Sequence, residues 1–162
     1  MEIQSINYAF SINNYYNCKY SAPCTVIQPT VHQNYCQFNQ TKVDYFVKQK
    51  ELGLPYLKEV LKNSNNEDQI TESLYILDRM IDNGTKGIDK MYPVLSRFNK
   101  TRSPNIQTFL AGIYRKIQVP DAFGPLVSML IQNSITPRQS VFDPNEEIGG
   151  AILSYLSDRF RN

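Results

Sequence analysis

Tryptophan is absent, histidine occurs once, and the three cysteines and the histidine all lie at or before residue 36. Residues 37–162 therefore offer no imidazole base, no thiolate nucleophile and no thiolate or imidazole metal ligand. Long hydrophobic runs are missing too: no stretch approaches the roughly 18 apolar residues that a membrane-spanning helix needs. An excess of one charge is also lacking, since the formal net charge is +2. That falls well short of the basic balance usual in nucleic-acid binders. The start of the chain carries Glu2 and no cationic region ahead of an apolar run, so no secretory signal is expected and the expected compartment is the cytoplasm.

What is present divides near residue 45. Residues 1–45 hold four charged side chains (Glu2, Lys19, Lys42 and Asp44) but six tyrosines, with many Asn and Gln. Such a polar, aromatic mixture has little with which to build a core, so this leader is expected to be largely disordered. Tyr15, Tyr16 and Tyr20 are its candidate anchors should it order on a partner. Cys18, Cys24, His32 and Cys36 are four potential zinc ligands within this leader. Structural zinc sites bring paired ligands together across two to four residues, a spacing these four do not have. A disulfide with one thiol left over and incidental free thiols are the other readings. No metal and no cofactor is expected.

Residues 46–162 carry an internal echo. Ile70, Leu74, Leu77, Arg79 and Ile81 recur 36 residues later as Ile106, Leu110, Ile113, Arg115 and Ile117. Self-similarity at such a period marks stacked units, each too small to bury its apolar stripe alone. Steps of 4, 3 and 4 between the apolar positions place them on one helical face. Upstream, Leu54-Pro55-Tyr56-Leu57, Tyr92-Pro93-Val94-Leu95 and Gly124-Pro125-Leu126-Val127 read as three degenerate copies of the first helix of a pair.

Local signals place the boundaries. Ser103-Pro104 puts a capping hydroxyl before a proline at the first helical position, where a missing N–H is harmless. Asp143-Pro144-Asn145-Glu146 repeats the device with a glutamate in capping-box position. Asn83-Gly84 reads as a C-terminal stop. Helices are expected near 46–63, 67–82, 87–99, 104–118, 121–133 and 144–160, with the prolines starting or kinking the first helix of each pair. The fold class is all-α: a short α-solenoid of about three antiparallel helix pairs behind a flexible N-terminal segment.

The pattern Leu-Pro-x-Leu-x-x-x-Leu on one helix, a short polar link and a second amphipathic helix resembles the HEAT repeat group of α-solenoids over roughly residues 46 to 162. Many units of that group carry an aspartate in the turn and an arginine early in the second helix. Asp68 matches the first, but Thr71 and Glu72 stand where a cation is usual, and residues 105–108 hold none. Armadillo-like stacking therefore stays open beside HEAT-like stacking. The resemblance implies a curved scaffold whose second helices line a concave face that holds other macromolecules. It also admits chemistry, because HEAT-like scaffolds include DNA glycosylases and bilin lyases. No pair of carboxylates on adjacent repeats has a reason for a raised pKa, Tyr114 beside Arg115 is the nearest approach to a glycosylase pocket, and no enzyme is expected.

Arg79 and Arg115 stand opposite the apolar stripe at equivalent places in two units. With Glu72, Thr108 and Lys116 they are the candidate partner-binding residues. Charge is also segregated along the chain: residues 51–89 carry eight acids against four cations, whereas residues 90–120 carry six cations and no acid. Within that basic block Lys90, Arg97, Lys100 and Arg102 are the candidates for holding an anion or a phosphate backbone. Acidic and basic units side by side also make weak head-to-tail self-association conceivable. Ile152, Leu153, Leu156 and Phe160 are the apolar residues a terminal helix is expected to leave open. The expected function is a non-catalytic interaction module binding a peptide or helix, with an anion- or nucleic-acid-binding module as the alternative.

Overall fold

The computed structural model describes residues 38–136 and 143–160, and among them every regular element is helical. The leader up to residue 37, with Tyr15, Tyr16, Tyr20 and the Cys18, Cys24, His32 and Cys36 set, lies outside the described residues, as does the Phe160 side chain.

Helix α1 spans Gln40–Gln49 and starts where Asn39 caps it, accepting the Lys42 amide at 3.2 Å. The helical region thus begins before residue 46, inside the segment read as disordered. Val43 and Phe46, three apart on α1, are buried. A single helix over 46–63 does not form. Lys50 takes a positive φ of 49°, a 3₁₀ turn covers Lys50–Gly53, and α2 runs Leu54–Asn63. Pro55 explains the break, because it lacks an N–H and its ring crowds the preceding turn, so it suits the first turn of a new helix.

Helix α3, Glu67–Asp82, is capped by Asn66 and stopped at Asn83-Gly84, where Gly84 has a φ of 79°. Thr85 and Gly84 then donate back to the carbonyls of Met80 and Ile81. The expected helix over 87–99 is broken up around Pro93 into a 3₁₀ turn, the short α4 at Tyr92–Leu95 and a second 3₁₀ turn. Helix α5 spans Pro104–Ile117, with the Ser103 hydroxyl accepting from Ile106. Helix α6 spans Phe123–Ile135, and α7 spans Asn145–Phe160.

The echo in the sequence is an echo in burial. Ile70, Leu74 and Leu77 are buried and Ile81 is half-buried; Ile106, Leu110 and Ile113 are buried and Ile117 is half-buried. Helix α5 packs between α3 and α7, α1 and α2 pack on α3, and α6 packs on α7. One continuous apolar core runs through these contacts from Val43 to Tyr155.

Polar bonds fix the register between neighbours. Arg97 donates to the carbonyls of Leu61 and Lys62 at the end of α2, where unpaired carbonyls favour a cation. Asn133 and Gln107 form a buried amide pair, the closer bond at 2.9 Å, and Asn133 also donates to Asn145 at 2.8 Å. That group joins α5, α6 and the start of α7. At the far end Ile131, Ile135 and Leu153 remain exposed, whereas Ile152 and Leu156 are only half-exposed.

Candidate functional site

Helices α3, α5 and α7 bring a row of charged side chains together. Lys116 on α5 bonds Asp78 on α3 at 2.7 Å and lies 2.8 Å from Asp82. Arg79 meets Asp82 one turn along α3 at 3.3 Å, and Arg115 meets Glu147 on α7 at 3.7 Å. Two glycines lie against the row. A Cβ placed on Gly112 would stand 3.5 Å from the Asp78 carboxylate and 3.7 Å from that of Glu147, and one on Gly150 would stand 3.2 Å from the Arg115 guanidinium.

Burial pushes the Asp78 carboxyl above the usual carboxylate range, outweighing the hydrogen bond from Lys116. Burial also disfavours the Lys116 ammonium, but the bonds to Asp78 and Asp82 prevail and hold it above the usual lysine value. The Arg79 and Arg115 side chains are 45% and 50% exposed. Ion pairs that open to water are worth only about 0–1 kcal/mol, so these arginines lose little by exchanging partners.

Rings adjoin the charged row. Phe38 stacks on Tyr75 of α3 at a centroid distance of 4.2 Å and meets the edge of Phe109 on α5 at 5.7 Å; Tyr75 and Phe109 are 5.5 Å apart. All three are half-buried. Tyr75 lies one turn from Asp78 and Arg79, and Phe109 lies one turn before Gly112. Sequence reasoning missed this cluster because Phe38 fell in the leader. It also missed Asp78, Asp82 and Glu147, although Asp78 and Lys116 are 38 residues apart, close to the period of the echo.

Two expected contact residues are displaced. Glu72 is only 7% exposed and is paired with Lys42 beneath α1, so it is withdrawn from any contact face. The helix that covers it arises from residues read as a leader. Thr108 is half-buried and donates its hydroxyl to the Pro104 carbonyl at 2.8 Å. Tyr114 lines no groove either: it is fully buried, its hydroxyl bonds Asn99 at 2.7 Å, and burial pushes its pKa up.

The basic block does not form one patch. Arg115 and Lys116 face carboxylates, and Arg97 is committed to the end of α2. Lys90 is exposed on a 3₁₀ turn, and Lys100 and Arg102 are exposed in the link before α5. Arg97 and Lys100 do share an open groove of about 460 Å³ over Ile70, Phe98 and Ile106. Its rim also holds Glu67, whose carboxylate accepts the Ser103 hydroxyl, so the groove is not uniformly positive.

Among the described residues no group of three or more His, Cys, Asp and Glu is placed to hold a metal, and no helix is long and apolar enough to cross a membrane. Comparison with protein-family models, with curated proteins and with solved structures finds no significant match for this chain.

Proposed function

We propose that this chain is a short, HEAT-like α-solenoid of about three helix pairs that acts as a non-catalytic interaction module, holding a peptide or a helix of a partner protein across α3, α5 and α7. The observation that carries the reading is the mixed-sign row, in which half-exposed Arg79 and Arg115 alternate with Asp82 and Glu147 beside half-buried Tyr75 and Phe109. Aromatic residues and arginine supply most anchoring contacts in protein interfaces. Carboxylates interleaved with the cations repel a phosphate backbone but offer paired recognition to a peptide bearing both charges.

The anion-binding alternative rests on the groove that holds Arg97 and Lys100. It has less support, because Arg97 is engaged with two carbonyls and Glu67 stands on the same rim.

Peptides selected from a displayed random library, mapped by NMR shift changes on the labelled protein, test the reading. Shifts centred on Arg79, Asp82, Arg115 and Glu147, lost in an Arg79→Glu/Arg115→Glu variant, are expected. Failure to select any binder, or shifts confined elsewhere, would sink it. Fluorescence anisotropy with single- and double-stranded oligonucleotides at low and near-physiological salt tests the alternative. A steep salt slope that disappears in Lys100→Glu/Arg102→Glu would put the anion-binding reading first.

A further inference from the structure

A small polar cavity lies where α1, α2 and α3 meet, and the partner-binding row makes no use of it. Lys42 from α1, Tyr56 from α2, and Gln69, Glu72 and Ser73 from α3 line a space of about 30 Å³. The Lys42 and Glu72 side chains are 6% and 9% exposed and are paired with each other. The Tyr56 hydroxyl oxygen is closed off from solvent and has no hydrogen-bond partner among the protein groups. A buried hydroxyl left in that state costs about 1–3 kcal/mol, so its environment calls for a partner.

Charge decides what that partner can be. A cation entering the cavity would meet the Lys42 ammonium, and an anion would meet the Glu72 carboxylate. A neutral molecule able both to accept and to donate a hydrogen bond meets no such opposition. Size narrows the choice, since the centre of one water needs about 10–15 Å³ of such space, so the cavity admits water but nothing much larger. We propose that this cavity is a binding site for a structural water that accepts from the Tyr56 hydroxyl and donates to the Glu72 carboxylate, linking α2 to the ion pair between α1 and α3.

The water also explains how a buried ion pair is tolerated there. Two charges taken out of water are poorly compensated by each other alone, and hydrogen bonds to the remaining lone pairs reduce the penalty. Burial and the nearby Glu72 charge push the Tyr56 pKa up, so the phenol keeps the proton it would donate.

A crystal structure of the wild-type chain and oxygen-17 water relaxation dispersion on the wild type and Tyr56→Phe test the site. Expected are a solvent peak within hydrogen-bond distance of both the Tyr56 hydroxyl and the Glu72 carboxylate, and the loss of one long-lived water in the variant. An empty cavity in the wild-type map, or an unchanged dispersion amplitude in a folded variant, would overturn the proposal. Should Tyr56→Phe fail to fold, the wild-type map decides alone: a filled site supports the proposal and an empty one ends it.

Discussion

Lys116 on α5 is clamped between Asp78 and Asp82 on α3, at 2.7 and 2.8 Å. The same pairing that raises the Lys116 pKa fails to lower that of Asp78, because the carboxylate is the more deeply buried partner, its side chain 19% exposed against 31%. Folded Asp78 thus holds a proton more readily than unfolded Asp78. Its contribution to stability falls as pH rises from the ordinary value of 3.8 through the raised one. Lys116 acts at the other end of the scale: its contribution is present below its ordinary 10.5 and is lost as pH rises through the higher folded value. Replacing Lys116 with methionine should move the Asp78 carboxyl further up, which carbon-detected NMR titration will read. The accompanying loss of stability should stay near 1 kcal/mol or below, since the pair is partly open to water.

Removing either partner of the Lys42–Glu72 pair should be far more damaging. Lys42→Met takes the cation from a buried carboxylate and Glu72→Leu takes the carboxylate from a buried ammonium, each at a cost of about 3–5 kcal/mol. Making both changes together should recover most of the loss, because a buried ion pair contributes little beyond what an apolar pair of similar volume does. Urea unfolding of the two single variants and the double variant measures this. Additive losses would contradict it.

Two glycines should respond to alanine in opposite directions. A Cβ on Gly53 would come 2.8 Å from the ring of fully buried Phe46, so Gly53→Ala should destabilise by about 1–3 kcal/mol through overpacking. A Cβ on Gly149 in α7 meets nothing within 4 Å, so Gly149→Ala should stabilise by about 0.5–1 kcal/mol through helix propensity. Thermal and chemical denaturation distinguish the two signs.

Asn133→Ala should remove the hydrogen bond to the Gln107 amide oxygen, whose nitrogen still donates to the Thr101 carbonyl, and should detach the start of α7 from α6. A loss of about 0.5–1.5 kcal/mol for each hydrogen bond removed is expected. Hydrogen exchange should show faster opening at α6 and α7 than at α3. Uniform acceleration along the chain would show that this group does not hold the C-terminal pair in place.

Much of this arrangement is legible in the residues, and the exceptions share a cause. Ser103-Pro104, Asn83-Gly84 and the 36-residue echo are local or periodic signals, and each recurs in the structure as a cap, a stop or a burial pattern. Helix α1 has only a short apolar stripe among Gln, Lys and Asp, and the leader's composition hides it. Its place is set by α3, to which Lys42 and Phe38 are joined, and no local pattern reports a contact of that range. The charged row is legible in the same partial way. Periodicity puts Arg79 and Arg115 on one side, but their carboxylate partners depend on how far each helix is rotated against its neighbour. Glu72 shares the early turns of α3 with residues that face outward, and it is buried where Lys42 of α1 and Tyr56 of α2 meet it.

Several of the bonds between neighbouring helices recur at nearly one separation along the chain. Ser103 reaches Glu67, Arg97 reaches Leu61 and Tyr155 reaches Val119, each across 36 residues, and the Tyr155 bond to Tyr114 spans 41. None of these links requires the two ends of the chain to find each other, so the loops closed during folding are of moderate and similar length. If the helices stack as the proposed solenoid does, a pulling force applied at the ends should peel the chain one pair at a time, each step releasing a similar length of chain.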